Sequence, residues 1–142
     1  MANSTAMCTS FKQELLVATH DFTATTGDAM KAALYTSSAS LGAATTAYAT
    51  GNEITGTGYT AGGADLTNVT PTTSGTTAYA DFSDVSWSSA SFTANGMLIY
   101  NSDKSNKAVS THAFGGDKTV SSGTFTVQFP AADASNAIIR IA

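Results

Sequence analysis

Residues 123–129 read GTFTVQF, and the fold turns on them. Phe125, Val127 and Phe129 fall on alternate positions, with Thr124, Thr126 and Gln128 between them. Successive side chains of a strand point to opposite faces, so this alternation specifies a β-strand with one face buried and one wet. Pro130 follows and ends it, because proline has no N–H for a ladder.

Working outward, the same period recurs. Upstream, KAVSTHAF (107–114) reads as a strand and GGDK (115–118) as a turn. SFTANGMLIYN (91–101) is rich in strand formers, NSDKSN (101–106) is a polar turn, and DVSWSS (84–89) is a further extended run. TTAYADF (76–82) alternates, with Ala78, Ala80 and Phe82 on one face; NAIIRIA (136–142) closes the chain as a strand. Turn signals at this spacing specify an antiparallel sandwich or barrel. Asn95-Gly96 lies inside one of these runs. A bulge in a continuous strand is favoured there over a hairpin, because each half would be a short strand.

The first half of the chain is less regular. MKAALYTSS (30–38) reads as a strand, with a helix as its rival. Residues 40–75 are interrupted by glycines, and such long loops are often functional, so this region is the expected reach toward a partner. Phe11, Leu15 and Leu16 are spaced for a short helix over Phe11–Ala18, with Ser10 as N-cap and Gln13 three residues on. Residues 1–10 are small and polar and read as a flexible N-terminal arm or a frayed terminus; residues 11–142 form one domain. The expected architecture is all-β, an antiparallel β-sandwich of jelly-roll type or, alternatively, immunoglobulin-like, with one short N-terminal helix. The expected core takes in Leu15, Leu34, Phe82, Trp87, Leu98, Phe114, Phe125, Val127, Phe129, Ile139 and Ile141.

Composition narrows function. The 142 residues are 42% apolar but only 11% charged, against ~25% charged in typical soluble domains. Ser, Thr, Gly, Ala and Asn take the place of charge. Such a surface suits a chain that packs against copies of itself or a larger assembly, although secreted β proteins look similar. Net charge is −4 and the six Lys and Arg are scattered, which argues against phosphate-backbone binding. The single cysteine, Cys8, permits no intrachain disulfide, and its neighbours supply no activating base. No apolar run is long enough for a membrane helix, and the first residues lack the pattern of a secretory signal.

Gly56-Thr-Gly-Tyr-Thr-Ala61 formally matches G-x-G-x-x-G/A. A dinucleotide loop needs an apolar strand before it and a helix after it. Here YATGNEIT precedes it and GGADLTNVTP follows, which forbids a helix. The alternative is glycine placed where backbones approach closely, with Tyr59 as anchor and Glu53 either paired to a neighbour's cation or solvated. His20 and His112 have no metal-ligand spacing, and adjacent His20-Asp21 is no dyad by itself. Asp81 and Asp84 flank a turn and are a weak cation candidate. Trp87, Phe92 and Tyr100 suit a sheet core better than a sugar platform. No catalytic, cofactor or metal residues are assigned.

Three stretches carry a resemblance: ALYTSSASLGAATTAYATGNEITGTGYTAGGADL, SGTTAYADFSDVSWSSASFTANGMLIYN and GGDKTVSSGTFTVQFPAADASNAIIRI. They resemble small structural proteins of tailed-phage virions over about residues 11–142, and among these capsid decoration (cement) proteins most. The resemblance implies a non-enzymatic protein made in the host cytoplasm and placed on the capsid exterior. It implies the major capsid protein as partner, a homotrimer, and no nucleic acid, membrane or cofactor. Asn3, Ser4, Thr5, Glu53 and Tyr59 are the expected partner-interface residues. A tail adaptor, tube or fibre-associated module is the alternative, and a carbohydrate-binding sandwich the second.

Overall fold

The alternating second half of the chain forms two long strands that pair along their length. The computed structural model describes residues 2–142. In chain order the elements are β1 (Ala6–Met7), α1 (Thr9–Leu16), β2 (Met30–Tyr35), β3 (Ala64–Asp65), β4 (Asn68–Ser74), β5 (Thr77–Phe82), β6 (Val85–Asn101), β7 (Lys107–Val127) and β8 (Ile139–Ile141). One sheet has the order β1-β7-β6-β2-β3 and the other β4-β5-β8, and every pairing is antiparallel. This is the expected all-β sandwich with one short helix.

Register explains several features. β6 runs unbroken through Asn95-Gly96, so there is no hairpin; the ladder is irregular at that point, as a bulge requires. Ala94 faces Lys118 while Gly96 faces Ala113. Phe114–Asp117 therefore bows out opposite Asn95, and the expected GGDK turn is an excursion within β7 rather than a break between two strands. Gly96 also makes room for the N-terminus: a Cβ there would lie 2.9 Å from the Asn3 amide nitrogen.

Phe11, Leu34, Met97, Leu98, Ile99 and Val109 are fully buried at the centre of the core. β2 is buried on both faces at Ala32, Ala33, Leu34 and Tyr35, and such a strand reads as a continuous apolar run. Phe22 and Phe82, with rings 6.2 Å apart, join the α1 end of the large sheet to the small one. Of the expected core, Leu34, Phe82, Trp87, Leu98 and Ile139 are buried. Leu15, Phe114, Phe125, Val127 and Phe129 pack against the core but are only partly buried. Ile141 is 57% exposed. It shares a face with Ile139, but it lies at the open end of the small sheet.

The helix begins at Thr9, not Phe11, and ends at Leu16. Ser10 is inside it; the N-cap is Cys8, without a side-chain hydrogen bond. The helix stops because Ala18 adopts φ 58°, outside helical space.

Candidate functional site

The glycine loop is held by tyrosines and one carboxylate. Glu53 Oε1 accepts the Tyr59 hydroxyl at 2.7 Å and the Gly62 amide at 2.8 Å; its Oε2 accepts the Tyr48 hydroxyl at 2.7 Å. Tyr59 Oη in turn accepts the Leu34 amide of β2 at 2.9 Å. The Tyr100 hydroxyl donates to the Gly62 carbonyl and the Tyr35 hydroxyl to that of Ala49, both at 2.6 Å. Tyr48 stacks on Tyr100, with ring centroids 4.8 Å apart. Burial pushes the phenols of Tyr35 and Tyr100 up to about 12, and those of Tyr48 and Tyr59 higher still, the latter two also through the Glu53 hydrogen bond. All four are therefore protonated donors at neutral pH. Gly63, with φ +81°, lies so close to β2 that a Cβ would collide with the Ala32 carbonyl. A Cβ on Gly56 would come 2.6 Å from the Ser91 carbonyl. These glycines serve close backbone approach, and no helix follows the loop to bind a pyrophosphate. Glu53 meets neither a cation nor open water alone: it is the hub of its own loop.

Residues expected to form a flexible arm lie along the large sheet. The Ser4 amide donates to the Leu41 carbonyl at 2.9 Å and the Cys8 amide to that of Val109 at 3.0 Å. Asn3 donates to the Thr36 carbonyl and to Asn95 Oδ1 and accepts the Leu41 amide. The Ser4 hydroxyl donates to the Leu41 carbonyl, and Thr5 Oγ1 accepts the Ala113 amide. The structure thus brings Asn3, Ser4 and Thr5 together as a strap over β7 and the start of the long loop. Glu53 and Tyr59 form a separate group, and the polar atoms of both groups are engaged within the chain.

A polar cluster was not legible in the sequence. His20 pairs not with adjacent Asp21 but with Glu14 of α1, Nε2 to Oε1 at 3.3 Å. Asn101 Nδ2 lies 2.9 Å from His20 Nδ1 and 2.7 Å from Asp28 Oδ2, while Asn101 Oδ1 accepts the Asp103 amide. That orients the amide, so His20 Nδ1 accepts and Nε2–H donates to Glu14. Lys107 meets the other Glu14 oxygen at 2.8 Å. Burial acts to raise the Glu14 carboxyl, but hydrogen bonds from Lys107 and His20 and the charge of Lys107 leave it below its usual range. Both imidazole nitrogens are occupied, so the cluster fixes α1 to the β6–β7 turn. The polar turn NSDKSN was its one sequence signal.

The other candidates are accounted for similarly. His112 Nε2 lies 2.9 Å from the buried Ser110 hydroxyl, and burial lowers the imidazole to about 4. Burial raises the Cys8 thiol to about 11, aided by the negative charge of Glu14, which suppresses the thiolate. Asp81 and Asp84 each accept a backbone amide, from Phe82 and Phe129 respectively. Among the described residues no three His, Cys, Asp or Glu side chains converge on a metal position. Trp87, Phe92 and Tyr100 are buried, as expected of a core rather than a sugar platform.

One surface feature stands apart. The sandwich is open beside α1, where a groove of about 170 Å³ is lined by Leu15, Phe22, Pro71, Ala78, Ala80 and Ile141, among others. Leu16 is 87% exposed and Val17 62% exposed, immediately after the groove residue Leu15. With Ile141, which lines the groove, they are the exposed large apolar side chains among the described residues.

No known family model matches the sequence, and no curated protein or solved structure matches it either.

Proposed function

We propose that the chain is a tailed-phage virion protein that seats on the outer capsid shell, contacts the major capsid protein and stabilises the shell by bridging neighbouring capsomers. The observation that carries this reading is the open apolar groove lined by Leu15 and Ile141, with the exposed Leu16 and Val17 following Leu15 in the chain. Water-exposed apolar surface gathered in one place marks a contact surface. The resemblance of residues 11–142 to small virion proteins supplies the assembly, and a hydroxyl-rich surface with 11% charged residues sets up little repulsion against a neighbour. Hydrogen bonds within the chain hold the strap and the glycine loop against the large sheet. Stiffness lowers the ordering cost of a protein that must hold two partners in place.

Counting copies in purified particles tests the reading. A copy number comparable with the number of capsomers is expected, together with loss of shell binding in a Leu16→Glu/Val17→Glu variant that still melts like wild type. A count matching a single vertex would replace the proposal with a tail adaptor, tube or fibre module.

A further inference from the structure

The β6–β7 ribbon has an open side. β6 lines one side of β7 throughout. On the other side β1 takes Ser110 and Thr111, and Thr5 takes the Ala113 amide. Among the described residues no strand pairs with that side from Phe114 to Val127. A free edge displays N–H and C=O groups at strand spacing, and proteins commonly protect such edges with charges, proline or bulges. Bulging at Phe114–Asp117 and at Ser121–Ser122 interrupts this one, and Ser122 has φ 47°. That leaves Gly123–Val127 as the part of β7 with no extra residue, the irregularity opposite Thr124 lying on β6 at Ser88–Ser89. No charged residue occurs from Thr119 to Ala132, nor from Val85 to Ser102 on the partner strand.

We propose that the Gly123–Val127 edge pairs antiparallel with the same edge of a second copy of this chain, about a two-fold axis. Charge selects this occupant. In a two-fold pair a short segment faces itself, so any charge on it would meet its own kind, which is destabilising. A chain of net charge −4 meets least repulsion from its copy along an uncharged strip, and this strip is uncharged. Thr124 and Thr126 are exposed, and hydroxyl pairs already join strands in this ribbon, Ser86 to Thr126 at 2.9 Å and Thr93 to Thr119 at 2.8 Å. The same pairing repeats across the axis. Phe125 and Val127 are half-buried, and the added strand covers their open flank. The paired length is about 17 Å, at ~3.4 Å per residue. So short a strip buries less than the ~1,200 Å² of a standard interface, so the dimer is reversible and concentration-dependent. The inference does not rest on the capsid reading, and it gives two copies where the resemblance implies three.

Sedimentation of purified wild type over a concentration series is expected to show monomer and dimer in exchange. Thr124→Lys and Thr124→Glu should each weaken the dimer about tenfold or more, and an equimolar mixture of the two should restore it, a tenfold change being ~1.4 kcal/mol. Circular dichroism melts like wild type would show that both variants fold. Hydrogen exchange on wild type needs no variant: amides within residues 123–127 should exchange more slowly at high concentration. A wild type that stays monomeric, a trimer unaffected by either substitution, a mixture that stays apart, or exchange independent of concentration would each overturn the proposal.

Discussion

Replacing Glu53 with alanine removes one acceptor group and leaves three donors, the hydroxyls of Tyr48 and Tyr59 and the Gly62 amide. Hydrogen bonds to a charged group contribute ~1.5–3 kcal/mol each, so three set a ceiling of roughly 5–9 kcal/mol. Glu53 is only half-buried, and water entering the vacated space re-pairs hydroxyls that can rotate. The expected loss is therefore about 3–4 kcal/mol, which lowers Tm by roughly 10 °C for a chain of this size. Glu53→Gln keeps the shape and an oxygen for two of the donors, and Tyr48 can accept from the new amide. Only charge assistance disappears, at about 1 kcal/mol. Trp87 is the only tryptophan, and the Tyr59 ring lies 6.2 Å from it. Urea unfolding followed by its fluorescence reports on the loop and the sheet together. A Glu53→Ala protein within ~1 kcal/mol of wild type, with glutamine and alanine indistinguishable, would refute the hub and return Glu53 to the role of a solvated side chain.

Three further outcomes follow from burial and charge. Phe82→Ala should cost ~3–5 kcal/mol and Phe125→Ala roughly half of that, because Phe82 is 3% exposed while Phe125 is only partly covered; equal costs in denaturant melts would contradict the facing of β7. His112, lowered by burial from 6.5 to about 4, binds its proton more readily in the unfolded chain, so its contribution is complete above pH 6.5 and is lost as pH falls toward 4. That amounts to at most ~3 kcal/mol, and His112→Gln should flatten the slope of stability against pH in this window. Asp81 has the opposite sign: burial raises its carboxyl, with Asp84 and Asp133 adding to the effect, and its Oδ2 has no partner. Its ionisation therefore opposes folding above the ordinary carboxylate range, and Asp81→Asn should raise Tm at neutral pH by a few degrees, about 1 kcal/mol; a lower Tm would mean that the charge is compensated.

Local alternation made the sheet legible. MKAALY and all but the first residue of TTAYADF became strands, and GTFTVQF supplies the end of β7, which stops at Val127 two residues before the expected end; the ordering of half-buried and exposed residues along 123–129 is still the one its period dictates. Where the sequence was silent, the reason is that the deciding contact joins distant segments. Nothing near Asn95-Gly96 shows that Asn3 crosses above it, yet that crossing explains a glycine in the middle of β6. Ile139 and Ile141 have the same period and the same face, but coverage ends between them, and periodicity gives facing without saying how far the opposite layer extends. The helix start slipped from Phe11 to Thr9 for a related reason: Cys8 is fixed by the Val109 carbonyl of β7, so tertiary pairing rather than a Ser10 cap sets the first turn.

The small polar residues were harder to read than the apolar ones, and low charge is the cause. In most chains Lys, Glu and Asp mark the solvent side of each element. Here threonine, serine and asparagine do so, and the same residue types form the internal strap and bridges. A serine or asparagine is therefore ambiguous between surface and seam until its partner is known. Glu53, one of the few charges, led furthest astray, because it is the centre of an internal network rather than a solvated group, and Glu14 is the centre of another. A chain with so few charges leaves much of its outer surface able to approach another protein without charge repulsion. The exposed apolar residues Leu16, Val17 and Ile141 then stand out from that surface, and the contact proposed above rests on them.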